Sequence, residues 1–169
     1  KFWNNDDGCC FDVIEGPNGN DASVRPTHIF AVSLSQSPLS PSQQQAVVET
    51  CTRHLLTSHG LRSLSPDDPR YCGIFIGGQM GRDSVYHNGA VWGWLIGPYV
   101  AAHLRVYGDK AASRALLYPL IRHLNERTAG SLSEIFDGDP PHEARACFAQ
   151  AWTVAEVLRA WAHTTPNEN

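Results

Sequence analysis

Residues 143–162 read EARACFAQAWTVAEVLRAWA, twenty positions without a glycine or a proline. At helical spacing Cys147, Phe148, Ala151, Val154, Ala155, Leu158 and Ala162 fall on one face. The opposite side carries Ala146, Ala149, Thr153 and Ala160, small enough to admit a second close neighbour. A helix over 143–162 that is sandwiched in this way predicts stacked helical hairpins rather than a free-standing bundle. The expected class is mainly α.

Working back along the chain, 109–127 reads as a helix with Ala112, Leu116, Leu120 and Leu124 in line. Residues 90–107 are apolar nearly all round, the pattern of a buried helix. The segment 59–88 is rich in Gly and Pro and has no helical period. Its Tyr71, Phe75 and Tyr86 mark it as an ordered segment that lines a site. Ser42 is a cap for a helix over 42–57, and Pro26 precedes another over 27–35. Residues 2–14 predict a short β-hairpin, with turn residues Asn4 to Gly8 between aromatic-rich arms. Residues 15–21 read as a loop, and 164–169 as a frayed tail.

A length of 169 residues fits one domain over 1–169. With 42% hydrophobic and 18% charged residues, the chain is too apolar for a disordered tail. A net charge of -4 leaves no basic footprint for nucleic acid. The longest apolar run, 90–104, is short of the roughly 20 residues of a membrane helix, so a soluble protein is expected. The sequence starts at Lys1 without a basic-then-apolar leader and reads as a piece of a longer chain. Cys9, Cys10, Cys51, Cys72 and Cys147 make no C-x-x-C pair and read as reduced, mostly buried thiols of a cytoplasmic protein. No histidine spacing suits a metal, no G-x-S-x-G is present, and the run from Gly77 to Gly81 lacks a phosphate-loop lysine. The reading includes no cofactor.

Polar and aromatic groups remain at the element ends. Residues 82–89 lead into the apolar stretch carrying Trp92 and Trp94, and residues 130–142 join the last two helices with Glu134, Asp137 and Asp139. Gln150 and Trp152 flank the final helix. Carboxylates, amides, His and Trp together suit a sugar, whose hydroxyls take planar hydrogen-bonding groups and whose apolar faces take aromatic platforms. A carboxylate pair would supply acid–base chemistry at a glycosidic bond. A solvated loop explains the same carboxylates, and core packing the same tryptophans. Composition and spacing stop at a helical domain with a candidate carbohydrate site.

Several segments go further. Residues 21–34 (DASVRPTHIFAVSL), 55–64, 86–95 (YHNGAVWGWL), 131–139 (SLSEIFDGD) and 149–152 (AQAW) resemble, in the same order, motifs of glycogen debranching enzymes. The likeness runs from Phe2 to about Trp161. It implies the C-terminal amylo-α-1,6-glucosidase domain, an (α/α)6 toroid of which this chain would form the last five or so helices. It also implies an inverting mechanism, with Glu134 at the general-base position and the general acid, an Asp, in an upstream half of the same domain. Arg25, His87, Trp92, Asp137, Gln150 and Trp152 match positions lining the sugar pocket. The implied partner is glycogen or a branched α-glucan.

The sequence departs from the family pattern at Thr27 and His28 (for Asn-Gln), Asn88 (for Gln), Ala90 (for Thr) and Gly93 (for Pro). These bear on substrate preference and activity rather than on the fold. Two rival readings stand beside the first: another inverting toroidal α-glucosidase of glucoamylase type, and a non-catalytic glucan-binding or assembly fragment. Trp92 and Trp152 are expected to bound the pocket while Trp94 and Trp161 pack, because one helix cannot aim residues two apart at one site. Alone, the chain is expected to be inactive.

Overall fold

The computed structural model describes residues 1–126 and 130–165. The chain opens with the expected hairpin, β1 (Trp3–Asn4) antiparallel to β2 (Cys9–Cys10). A second hairpin follows where a loop was expected, β3 (Val13–Gly16) with β4 (Gly19–Asp21). A 3-10 turn (Pro26–Ile29) runs into the short α1 (Phe30–Ser33), and α2 spans Pro41–His54. Ser40 rather than Ser42 caps α2: its hydroxyl accepts the Gln43 N–H while the Gln43 side chain takes the Ser40 N–H. Pro41, which has no N–H to satisfy, opens the first turn.

Next come β5 (Leu56–Thr57), β6 (Gly60–Arg62) and α3 (Gln79–Tyr86). The predicted helix over 90–107 starts late. Its first residues form β7 (Val91–Trp92) and a 3-10 turn (Gly93–Leu95), and only then does α4 (Ile96–Tyr107) begin. The predicted helix over 109–127 divides into α5 (Lys110–Ala115) and α6 (Tyr118–His123), with Pro119 in the opening turn of the second. Arg127, its expected end, lies outside the described residues. The chain closes with β8 (Ile135–Phe136), β9 (Ala144–Arg145) and α7 (Ala151–His163).

Strands β5 to β9 make one antiparallel sheet in sequence order. The expectation of a mainly α chain is corrected: the chain mixes helices with small sheets. Each strand is two or three residues long, too short for an alternating pattern to register in sequence. The core lies between this sheet and α2, α4 and α6, around Ile29, Leu55, Leu61, Ile96, Tyr99, Leu120 and Phe136.

The final helix overturns two expectations. It starts at Ala151, because Ala144–Arg145 pairs with β8 and Ala146 takes a left-handed backbone at φ +55°. It also buries the small side, Thr153, Val157 and Ala160, while Leu158 is 62% and Phe148 67% exposed. The small residues let backbones approach. A β-carbon on Gly97 of α4 would stand 2.1 Å from Glu156 Oε2, and one on Gly93 2.8 Å from Thr153 Cγ2. In the expected tail, Thr164 is buried and its hydroxyl donates to the Ala160 carbonyl; 166–169 lie outside the described residues.

Candidate functional site

Pairing of β7 with β8 sets Trp92 opposite Ile135, which brings the preceding residue, Glu134, beside the Trp92–Gly93 turn. The Gly93 N–H donates to the Glu134 carbonyl at 3.2 Å, and the Glu134 N–H donates to the Cys147 carbonyl at 2.8 Å. The carboxylate is held as well. Tyr86 donates its hydroxyl to Oε1, and the Cys147 N–H donates to Oε2 at 3.2 Å. The left-handed turn at Ala146 leads directly into that N–H. Burial, and then the neighbouring carboxylate, push the Tyr86 phenol above its usual range. Both influences favour the protonated phenol, the form that donates to Glu134.

An aromatic cavity of about 320 Å³ is walled by Arg25, Thr27, Phe30, His87, Trp92, Trp94 and Trp152 among others, and Trp92 joins it to Tyr86, the donor to this carboxylate. Trp92 stacks on His87 (6.0 Å, 14°) and meets Tyr86 and Trp152 edge-on at 4.6 and 5.9 Å. Trp94 stacks on Trp152 at 5.8 Å and tilts against Phe30 at 5.9 Å. Both Trp92 and Trp94 thus reach one cavity, contrary to expectation. They do so because Trp92 ends a strand and Trp94 sits in a 3-10 turn, so helical spacing does not govern them. Trp161 packs beneath the Arg114 guanidinium, 3.7 Å from the ring centre.

Of the residues matched by motif, Arg25, His87, Trp92 and Trp152 share this cavity. Glu134 is not a wall residue; Tyr86 and Gly93 link it to the wall. Arg25 spends its guanidinium on the chain: it donates to the Ser63 and His87 carbonyls at 3.0 and 2.6 Å and to Asn88 Oδ1 at 3.1 Å. It fixes the loop that carries His87. Asp137 and Gln150 stand outside the cavity. Asp137 is buried, with Arg145 donating to both its oxygens at 2.7–3.1 Å and the Phe75 N–H donating to one at 2.8 Å. Gln150 precedes α7 and anchors it by a backbone N–H to the Leu132 carbonyl at 2.8 Å.

Four of the five departures from the family pattern sit inside the chain's own packing, although the buried His28 Nε2 has no hydrogen-bond partner among the described residues. Thr27 donates to Asp12 at 2.8 Å, and His28 is buried with Nδ1 3.5 Å from Cys9 Sγ. Asn88 bridges Arg25 and the Ser84 carbonyl, and Ala90 is fully buried. Sequence reasoning missed Phe30, Trp94 and the Cys147 N–H. A backbone donor aimed by a turn leaves no trace in residue identity. Tyr86 stood out only as an aromatic of its segment.

Around Phe136 of β8, His59, His123 and His142 line a second cavity of about 140 Å³. His59 stacks on Phe136 at 4.5 Å. Burial, reinforced by His123 and His142, pushes its imidazole down to about 4. Among the described residues no group of His, Cys, Asp or Glu side chains is arranged to hold a metal ion. Nor is any helix among them long and apolar enough to cross a membrane.

A family model described as amylo-alpha-1,6-glucosidase matches residues 1–159. The chain belongs to that family. It is a C-terminal domain of glycogen debranching type, and the family places it among glycoside hydrolase domains. The amylo-alpha-1,6-glucosidase match spans the residues of the aromatic cavity and Glu134.

Proposed function

We propose that this chain takes part in hydrolysing α-1,6-linked glucose at the branch points of glycogen or a limit dextrin, with inversion at the anomeric carbon. Glu134 acts as general base: its carboxylate takes a proton from the water that attacks the anomeric carbon. A carboxylic acid outside this chain protonates the leaving oxygen. The observation that carries the reading is a carboxylate held by two donors, Tyr86 and the Cys147 N–H, with Tyr86 in ring contact with Trp92 of the aromatic cavity wall. Trp92, Trp94 and Trp152 supply platforms for pyranose faces, and His87 a polar edge. No step calls for a cofactor.

The acid is assigned elsewhere because the family resemblance implies an Asp in the upstream half of the domain, and within this chain Asp137 is paired with Arg145. Exposed apolar side chains on α7 and on the segment just before it support a neighbouring part of the same glucosidase domain as partner. Phe148, Trp152 and Leu158 are 67%, 46% and 62% exposed, an unusual concentration for a finished surface. The toroid, completed by that part, is the proposed setting, and this chain alone is inactive. Five unpaired cysteines, three of them buried, fit a cytoplasmic home.

The test is Glu134→Gln in the full-length enzyme, assayed for glucose release from a branched limit dextrin with folding checked by circular dichroism. Loss of general-base catalysis lowers release by about 10²–10⁴-fold. Near-normal turnover refutes the assignment. Sustained release by the purified 169-residue chain refutes the external acid.

A further inference from the structure

Tyr86 stands between the aromatic wall and the carboxylate, and contacts on several sides fix it there. Its hydroxyl donates to Glu134 Oε1, and its carbonyl accepts the Trp92 Nε1–H at 3.0 Å. Its ring meets Trp92 edge-on at 4.6 Å and tilts against Phe75 at 5.8 Å. Most of α3 is exposed; Val85 and Tyr86 at its C-terminal end tie it to the body of the domain. A glutamate side chain has three torsions, the last of them soft. One donor would leave the carboxylate free to pivot about a single oxygen. Tyr86 on one oxygen and the Cys147 N–H on the other fix its plane.

The geometry points to Tyr86 as a positioning residue that holds the Glu134 carboxylate in the orientation needed to accept a proton from water, and couples that orientation to Trp92. The inference rests on the reading of Glu134 as general base. It goes beyond that reading by assigning the base's orientation to a side chain on a different element, α3. If Tyr86 only filled space, Phe would replace it without loss, since Phe keeps the ring contacts and the backbone bond to Trp92. Only the donor to Glu134 separates the two residues.

Two readouts on Tyr86→Phe decide the matter, and they fail independently. In the 169-residue chain, hydrogen exchange at the Cys147 amide reports whether Glu134 still stands over it. The expected result is faster exchange at Cys147 by about tenfold, with the Asp137 and Gln150 amides unchanged on their Glu143 and Leu132 carbonyls. In the full-length enzyme, kcat for glucose release falls about 10–100-fold while KM stays within twofold, as expected when a catalytic group is misplaced but the sugar cavity is intact. Unchanged exchange at Cys147, or a kcat within twofold of wild type, overturns the positioning role. Glu134→Gln in the same assay separates the premise: if that variant stays active, the general-base reading fails, whatever the Cys147 amide does.

Discussion

Gly93 lies against Thr153 so closely that a β-carbon would stand 2.8 Å from Thr153 Cγ2, and its N–H reaches the Glu134 carbonyl at 3.2 Å. The family motif that this segment resembles would place Pro at this position. Proline has neither the N–H nor the slenderness, so the departure tightens the junction of β7, β8 and α7. Gly93→Pro is expected to destabilise the chain by about 1–3 kcal/mol through a lost hydrogen bond and overpacking. Thr153→Ala should recover the steric part, so the double-mutant cycle in urea unfolding shows coupling. Additive effects would mean that the two residues do not meet.

Asp137 is a structural anion in this chain. Its side chain is buried and takes two nitrogens of Arg145. Arg145→Ala strands a buried charge and is expected to cost about 3 kcal/mol in urea unfolding. Pairing it with Asp137→Asn should return part of that loss. A cost below 0.5 kcal/mol would contradict the ion pair.

Stability should fall in acid, and His59 is one identifiable cause. Its folded value is depressed to about 4, so between pH 6.5 and 4 the unfolded chain binds a proton that the native chain refuses. The contribution is fully present above pH 6.5 and is lost as pH falls through that window, up to about 2–3 kcal/mol. His59→Phe keeps the stack on Phe136 and removes the titration. The difference between wild type and variant, measured by urea unfolding at pH 7 and pH 4.5, isolates His59 from the similarly depressed His28 and His103. Equal pH dependence in the two proteins would rule it out.

Trp94 is predicted to bind sugar as well as to pack. Trp94→Ala removes the partner of Trp152 from the cavity and should weaken binding of a branched dextrin about tenfold, a change of about 1.4 kcal/mol. Trp161→Ala, beneath Arg114, should leave binding unchanged. Titration followed by tryptophan fluorescence distinguishes the two, and the reverse ranking would remove Trp94 from the site.

Much of this arrangement is readable before any coordinates. The turn residues Asn4 to Gly8 between aromatic arms give the first hairpin, and the helix read over 42–57 is α2, with its cap two residues earlier at Ser40. Motif wording brings Arg25, His87, Trp92 and Trp152 together, and the structure gathers all four round one cavity. These features are local or motif-borne, so the chain's own order carries them.

What the sequence by itself determined was the family, the helical segments and the residue types of the site. Tertiary structure alone decided which face of α7 is buried, that 144–145 joins a sheet, and that Trp92 and Trp94 converge. Periodicity reports that a face is apolar; it is blind to which neighbour arrives. Gly93 and Gly97 let the α7 backbone come close, and close approach favours Thr153, Val157 and Ala160 over the bulkier Leu158. Two-residue strands have no period to read, and β7 pairs with β8 across more than 40 residues. The Tyr86 donor reaches Glu134 across 48 residues and the Cys147 donor across 13, contacts that residue identity alone does not encode.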